Sequence, residues 1–277
     1  AATIQRECVD KIPDTVAIRG ILLNAGGFGD IDDDDDAVDK QSDKKGAKTT
    51  SRDAPPKACN TAKLNLIGHV ILVQLLIKSG KIQKNGEASS TITKIGRTMT
   101  RIVASGSEAA LTGGQDWDKA DFYVHLEGTA PRIPKGMGIE YGWIKGILAL
   151  YWAAFARHHP GLSVVTVSPG AVAQTNIFLH QGVSSLVRGV SRLAMFVVGS
   201  HSVEEGAKRY LDALLATRRG EEEGEEVFCP ISGSFWASRK GFTKDYGDVT
   251  QIKKGKFVAN TGLQDKAWDA VNKFVLV

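Results

Sequence analysis

The chain has 277 residues, 42% of them hydrophobic, which suffices for one large α/β domain with a substantial core. Its 35 Lys and Arg against 31 Asp and Glu leave a net charge of +4, dispersed along the chain. With no basic stripe interleaved with aromatics, nucleic acid is not an expected partner. Cys8, Cys59 and Cys229 stand far apart with no C-x-x-C pair, which argues against a disulfide framework or a structural zinc site. A reducing compartment is the natural expectation, whether cytosol, plastid stroma or mitochondrial matrix.

In chain order, Thr3 to Ile12 reads as a short helix stopped by Pro13. Val16 to Leu23 reads as a buried strand ending in Asn24-Ala25-Gly26-Gly27. From residue 29 to 56 the composition turns acidic and polar, with Asp32 to Asp36 in a row, and predicts a solvated surface insertion. Consecutive aspartates lack the spaced ligand pattern of a calcium loop. Asn65 to Ile77 predicts a strongly apolar helix closed by Lys78-Ser79-Gly80. Arg101 to Ala104 predicts a strand running into Ser105-Gly106-Ser107, and residues 108–137 a long connection without clear periodicity.

Tyr141 to Arg157 predicts a helix apolar on most faces; Trp143, Trp152 and Phe155 on it suit either a core or a subunit interface. Leu162 to Val167 predicts a third strand, followed by Ser168-Pro169-Gly170, and Val203 to Ala216 a capped helix. Glu221 to Glu226 reads as an exposed acidic loop. A short strand near Ser234-Phe235-Trp236 and a closing helix from Gln264 complete the chain. No apolar run is clean enough to span a bilayer; the best, Leu186 to Val198, is broken by Arg188 and Arg192. The first residue is Ala with no basic-then-apolar leader after it, as in a processed product or a fragment. Strands alternating with helices predict a single Rossmann-like domain over residues 1–277, a mostly parallel sheet covered on both faces.

Tyr141 and Lys145 form a Y-x-x-x-K pair whose spacing puts both side chains on one helix face. An ammonium beside a phenol favours phenolate, so the pair predicts a Tyr pKa lowered toward working pH and a general acid/base for a carbonyl–alcohol pair. Ser107 lies just past a strand, where its hydroxyl can meet a substrate oxygen, and Ser105 is its rival. Asn24-Ala25-Gly26 and Pro169-Gly170 end strands, and Asn65 opens the Asn65-Leu66-Ile67-Gly68-His69 stretch. In an open parallel sheet, strand ends and helix starts are where ligands bind. His158-His159 closes a helix, where interaction with its C-terminus is expected rather than metal binding. Ser105-Gly106-Ser107-Glu108-Ala109 is not a nucleophile elbow, so a hydrolase is not expected.

The order N-A-G, N-x-x-G-H, strand-G-S, Y-x-x-x-K, S-P-G over residues 18 to 215 resembles the short-chain dehydrogenase/reductase superfamily. Within it, the N-L-I-G-H stretch, Ser168 to Thr175 and Ser232-Gly233-Ser234-Phe235-Trp236 are similar to the retinol-dehydrogenase-like and light-dependent protochlorophyllide-reductase-like branch. The resemblance implies NADP or NAD as cofactor and a hydrophobic small molecule as substrate. It implies that Tyr141 exchanges a proton with the substrate oxygen, Lys145 lowers the Tyr pKa and holds the nicotinamide ribose, Ser107 orients the substrate oxygen, and Asn65 anchors a relay water. Asn24, Ala25 and Gly26 would line the adenosine side; Pro169, Gly170 and Thr175 would contact the nicotinamide end. Residues 182–202 match the position of a substrate lid, and the helix at 141–157 that of a homodimer contact.

The sequence departs from the pattern in one respect. The family opens with a T-G-x-x-x-G-x-G turn on its first strand, and no such turn precedes or follows Asn24 here. The expected sheet therefore lacks the family's first strands, and the strand at 16–23 becomes an edge open to another chain. Two readings stand: an NAD(P)-dependent oxidoreductase conditional on a complete nucleotide-binding half, or a non-catalytic structural subunit of a larger organellar or membrane assembly. A plastid location rests on the branch resemblance alone.

Overall fold

The computed structural model describes residues 1–14, 16, 18–24, 57–82, 99–112, 115–130, 137–172, 201–215, 231–239 and 245–275. Among these, five strands form one sheet in the order β1 (Gly20–Leu23), β2 (Arg101–Ser105), β3 (Ser163–Val167), β4 (Phe235–Ser238) and β5 (Tyr246–Asp248). The first four run parallel and β5 is antiparallel to β4. The fold is α/β, with the Rossmann-like arrangement expected. Residues 29–56 and 182–200, the expected insertion and most of the expected lid, lie outside the described residues, as do Cys229 and Glu221 to Glu226.

The pleat sorts the strands' side chains between two layers. Ile102, Ala104 and Val164 face helices α1 (Asn60–Lys78), α4 (Met137–His158) and α6 (Thr261–Asn272) in the larger core. Val103, Val165 and Val167 face the other way, onto Tyr210 and Ala213 of α5 (Val203–Leu215). β3 is buried at every position, as a central parallel strand must be. β1 is shorter than its apolar sequence predicts. Before Gly20 the chain is tied elsewhere: Val16 N–H donates to the Pro13 carbonyl at 3.0 Å and Ile18 N–H to the Lys81 carbonyl at 3.3 Å. Val16 and Leu22 stay 45% and 39% exposed, so this strand is not the buried one expected, and it stands at the sheet edge among the described residues.

Local chemistry sets the helix ends. Cys59 Sγ caps α1 by accepting from Ala62 N–H, so the helix starts well before Asn65. Its second turn, Lys63–Ile67, is widened to π geometry around the buried Asn65. This 19-residue helix is by length and composition able to cross a bilayer, a property the sequence reading sought in Leu186 to Val198; half of it is buried inside this chain. Ser202 and Glu205 form a capping box on α5, with 3.1 and 3.0 Å bonds in the two directions. Asp121 caps α3 (Phe122–Glu127) and Asn260 caps α6. Two short helices, α2 (Ala109–Thr112) and α3, occupy the stretch whose lack of periodicity predicted only a connection.

α4 is the axis of the fold. From Tyr141 to Ala156 every side chain is buried, which explains why its sequence shows no polar face. Trp143, Trp152 and Phe155 are core, covered from within the chain by α6 and neighbouring segments. Each such side chain contributes about 1.5–3 kcal/mol by leaving water. Trp117 crosses α4 at Gly146, where a Cβ would strike the indole ring, and stacks on Phe257 with centroids 4.3 Å apart. Trp268 of α6 stacks on Tyr151 at 5.3 Å and on His158 at 4.3 Å, which gives His158 a packing role. His159 stacks on Phe155 at 4.0 Å.

Candidate functional site

At the C-terminal ends of β2 and β3 the sequence-predicted residues divide into those that meet and those that do not. Ser107 hydrogen-bonds the Tyr141 phenol, and its Oγ also accepts from Ala109 N–H at 3.2 Å. Lys145 lies one turn further along α4 on the same face, its Nζ 5.5 Å from the Tyr141 ring centroid. The ammonium donates to the Ser105 carbonyl at 2.9 Å. Ser105 Oγ is 2.6 Å from the Tyr210 hydroxyl, toward the α5 layer. β2 ends at Ser105, and beyond it the chain turns so that it is Ser107 that reaches Tyr141.

Asn65 is fully buried in the widened turn of α1, its Nδ2 donating to the Thr61 carbonyl at 2.8 Å. One turn on, His69 feels the Lys145 charge, so α1 and α4 bring Asn65, His69 and Lys145 into one neighbourhood. Asn24 is exposed at the end of β1. Pro169 and Gly170 form a turn at the end of β3, with Gly170 at φ +84, where a Cβ would strike the His201 ring and the Arg209 guanidinium. Ala25, Gly26 and Thr175 lie outside the described residues. The chain leaves this turn at Val172 and rejoins it at His201, the two paired as a parallel bridge and His201 N–H donating to the Ala171 carbonyl at 2.7 Å.

Burial governs the electrostatics. The Tyr141 phenol is pushed up to about 12 by desolvation, with the Ser107 hydrogen bond pulling down and the Glu108 charge pushing up. This is opposite to the lowering that the Y-x-x-x-K spacing predicts. The reason is that Lys145 is itself fully enclosed: desolvation brings its ammonium down to about 7, and its proton points to Ser105. His69 is lowered to about 4, first by burial and then by Lys145.

A second set of groups, not among those the sequence motifs point to, lies beside the first. Glu108 is buried, its Oε1 accepting from Ser238 N–H at 3.1 Å and its Oε2 from the Ser168 hydroxyl. Arg209 of α5 lies 3.7 Å from Glu108, 3.2 Å from Ser238 Oγ, 2.9 Å from His201 Nε2, and stacks over Tyr246 at 4.4 Å. A signal was present. Gly206, Arg209, Tyr210 and Ala213 fall on one helical stripe, and a cation on an apolar stripe calls for a buried acid. A separate cavity of about 530 Å³ opens between residues 115–118 and 256–263; none of the predicted site residues lines it.

The fold and the site geometry together define an α/β protein whose acid/base-capable side chains collect at the carboxyl ends of parallel strands. No protein-family model matches the chain, and no curated protein matches it. Among solved structures it is similar to the crystal structure of an uncharacterized protein from Mycobacterium paratuberculosis, with 14% identity, 99% of this chain and 71% of the other covered, and a TM-score of 0.53. A likeness at that identity extends to the fold alone.

Proposed function

We propose that the chain is an NAD(P)-dependent oxidoreductase of the short-chain dehydrogenase/reductase type, acting on a carbonyl, alcohol or conjugated double bond of a hydrophobic molecule. The observation that carries the reading is the meeting of Ser107, Tyr141 and Lys145, from the end of one parallel strand and the first turns of the helix packed on it. A phenol, a hydroxyl and an ammonium are a donor set that fits the nicotinamide end of such a cofactor, with the Pro169–Gly170 turn beside it. When bound, the nicotinamide supplies or accepts the hydride. Ser107 orients the substrate oxygen, Tyr141 gives or takes its proton, and Lys145 holds positive charge one helical turn away, where it stabilises developing phenolate. His69 of α1 lies close enough to Lys145 to feel its charge.

A titration with NADPH and NADH, read by energy transfer from the tryptophans to the nicotinamide, tests this reading. Saturable binding that Lys145→Ala abolishes is the expected result. Absence of binding at millimolar cofactor by a folded protein overturns it. The second reading, a non-catalytic structural subunit, draws on the raised Tyr141 pKa, which opposes proton exchange at neutral pH. It expects that flat titration.

A further inference from the structure

The Glu108–Arg209 network lies where three strand ends meet, and its bonds connect two parts of the proposed site. On one side, Glu108 follows Ser107 directly in the chain, at the junction of β2 and α2. On the other, Glu108 accepts from the Ser168 hydroxyl, and Ser168 Oγ in turn accepts from Gly170 N–H at 3.2 Å. Ser238 N–H, at the end of β4, holds the second carboxylate oxygen at 3.1 Å. Arg209 closes the loop by donating to the Ser168 carbonyl at 3.4 Å and to Ser238 Oγ at 3.2 Å. Its Nη2 is held by His201, the residue at which the chain rejoins the Pro169–Gly170 turn.

A buried acid and guanidinium are costly to desolvate, and replacing them by apolar groups often leaves stability unchanged or improved. Such a pair needs another reason to sit at a site, and its bonding pattern offers one. We propose that Glu108 and Arg209 are positioning residues that hold the Ser107–Tyr141 pair in register with the Pro169–Gly170 turn, so that the substrate oxygen and the nicotinamide end are presented at a fixed separation. The inference rests on the oxidoreductase reading for the roles of those two parts. Misplacement of reacting groups by about 1 Å costs on the order of a hundredfold in rate, which makes such a strut worth its desolvation.

The charged and titratable groups facing Tyr141 are Glu108 from the β2–α2 junction, Lys145 from its own helix and Tyr210 from α5. The test is to follow the Tyr141 ring by ¹³C NMR at pH 8 in protein labelled at tyrosine Cζ, assigned with Tyr141→Phe. Variants are Glu108→Gln and Ser168→Ala, with Ser232→Ala as control. Ser232 accepts from Val164 N–H at 3.0 Å and so pins the opposite end of β3.

The strut predicts that both Glu108→Gln and Ser168→Ala shift the Tyr141 resonance, Ser168 being linked to it through Glu108, while Ser232→Ala leaves it in place. It also predicts NADPH affinity weakened on the order of tenfold in the first two variants and unchanged in the control. A Tyr141 resonance that Ser168→Ala does not move overturns the strut. Should Glu108→Gln fail to fold, Ser168→Ala, which removes one hydroxyl, decides alone. Wild-type protein that binds no NADPH overturns the oxidoreductase reading instead, and the Tyr141 resonance still judges the strut.

Discussion

The Lys145 ammonium donates to the Ser105 carbonyl at 2.9 Å from a position with only 2% exposure, one charge carried into the middle of an apolar helix layer. Desolvation lowers its pKa from 10.5 to about 7. Between those values the unfolded chain holds the proton and the native chain has released it, so this group makes stability rise with pH across that window. Lys145→Met removes the titration. The variant's unfolding free energy in urea is expected to be flatter from pH 7 to 10 and higher at pH 7, by roughly 1–4 kcal/mol. A midpoint at pH 7 below that of the wild type would show that the Ser105 bond outweighs desolvation.

His69 acts on the acid side with a slope of the same sign, in a lower pH window. Its folded pKa of about 4 lies below the ordinary 6.5, through burial and then the Lys145 charge. The neutral ring is native, so the stability this group contributes is present above pH 6.5 and is lost as pH falls toward 4. At about 1.4 kcal/mol per pKa unit the loss is roughly 3 kcal/mol. His69→Leu removes that part of the acid slope, which denaturant midpoints between pH 7 and 4 measure directly. An unchanged slope would place the acid lability elsewhere.

What was legible in the sequence follows from burial on both sides. β2 and β3 are near-continuous buried runs because layers cover both faces, and run length with the flanking turn residues places them within a residue. α4 was legible as a helix, but its burial left core and interface equally open; only the docking of α6 decides for core. β5 was missed because Tyr246, Gly247 and Asp248 carry no strand pattern and pair through β4 alone. α2 and α3 were missed because each is too short to show a period. The Tyr141–Lys145 face was legible from spacing, whereas the pKa direction was not, since it depends on enclosure by α1 and β2. Ser107 over Ser105 does not follow from strand alternation, which puts residues two apart on one face; it depends on the strand ending at Ser105, whose hydroxyl meets Tyr210.

The contact between Gly146 and Trp117 predicts a large effect from one methyl group. A Cβ at Gly146 would fall within 2.0 Å of the Trp117 ring, and the indole is held by Phe257 on its face and Trp143 on its edge, at 4.3 and 4.6 Å. Gly146→Ala raises helix propensity by about 1 kcal/mol. Overpacking costs typically 1–3 kcal/mol, and more where the neighbour cannot move. Net destabilisation in urea is expected, with altered tryptophan fluorescence. Stabilisation would mean that Trp117 can leave its stack.

The packing of α6 on α4 makes a prediction about association. Tyr151, Trp152 and Phe155 are fully buried, and Trp268 covers Tyr151 and His158 with two stacked contacts. Leu263, Ala267, Ala270 and Val271 fill the same interface at helical spacing. Arg157 fixes the register, its Nε donating to Gln264 Oε1 at 2.6 Å and its Nη2 to Asp265. Trp268→Ala is expected to cost about 3 kcal/mol, the scale for losing a large aromatic from a packed site. Deletion of the chain after Asn260 exposes an aromatic face large enough to seek a partner. Light scattering should then show self-association beyond that of the intact chain. If the truncated chain stays monomeric and binds no hydrophobic dye, α4 does not depend on α6 for its cover. If the intact chain associates through α4, crosslinking from Trp152 positions will report it, and α6 must then swing away from its own chain.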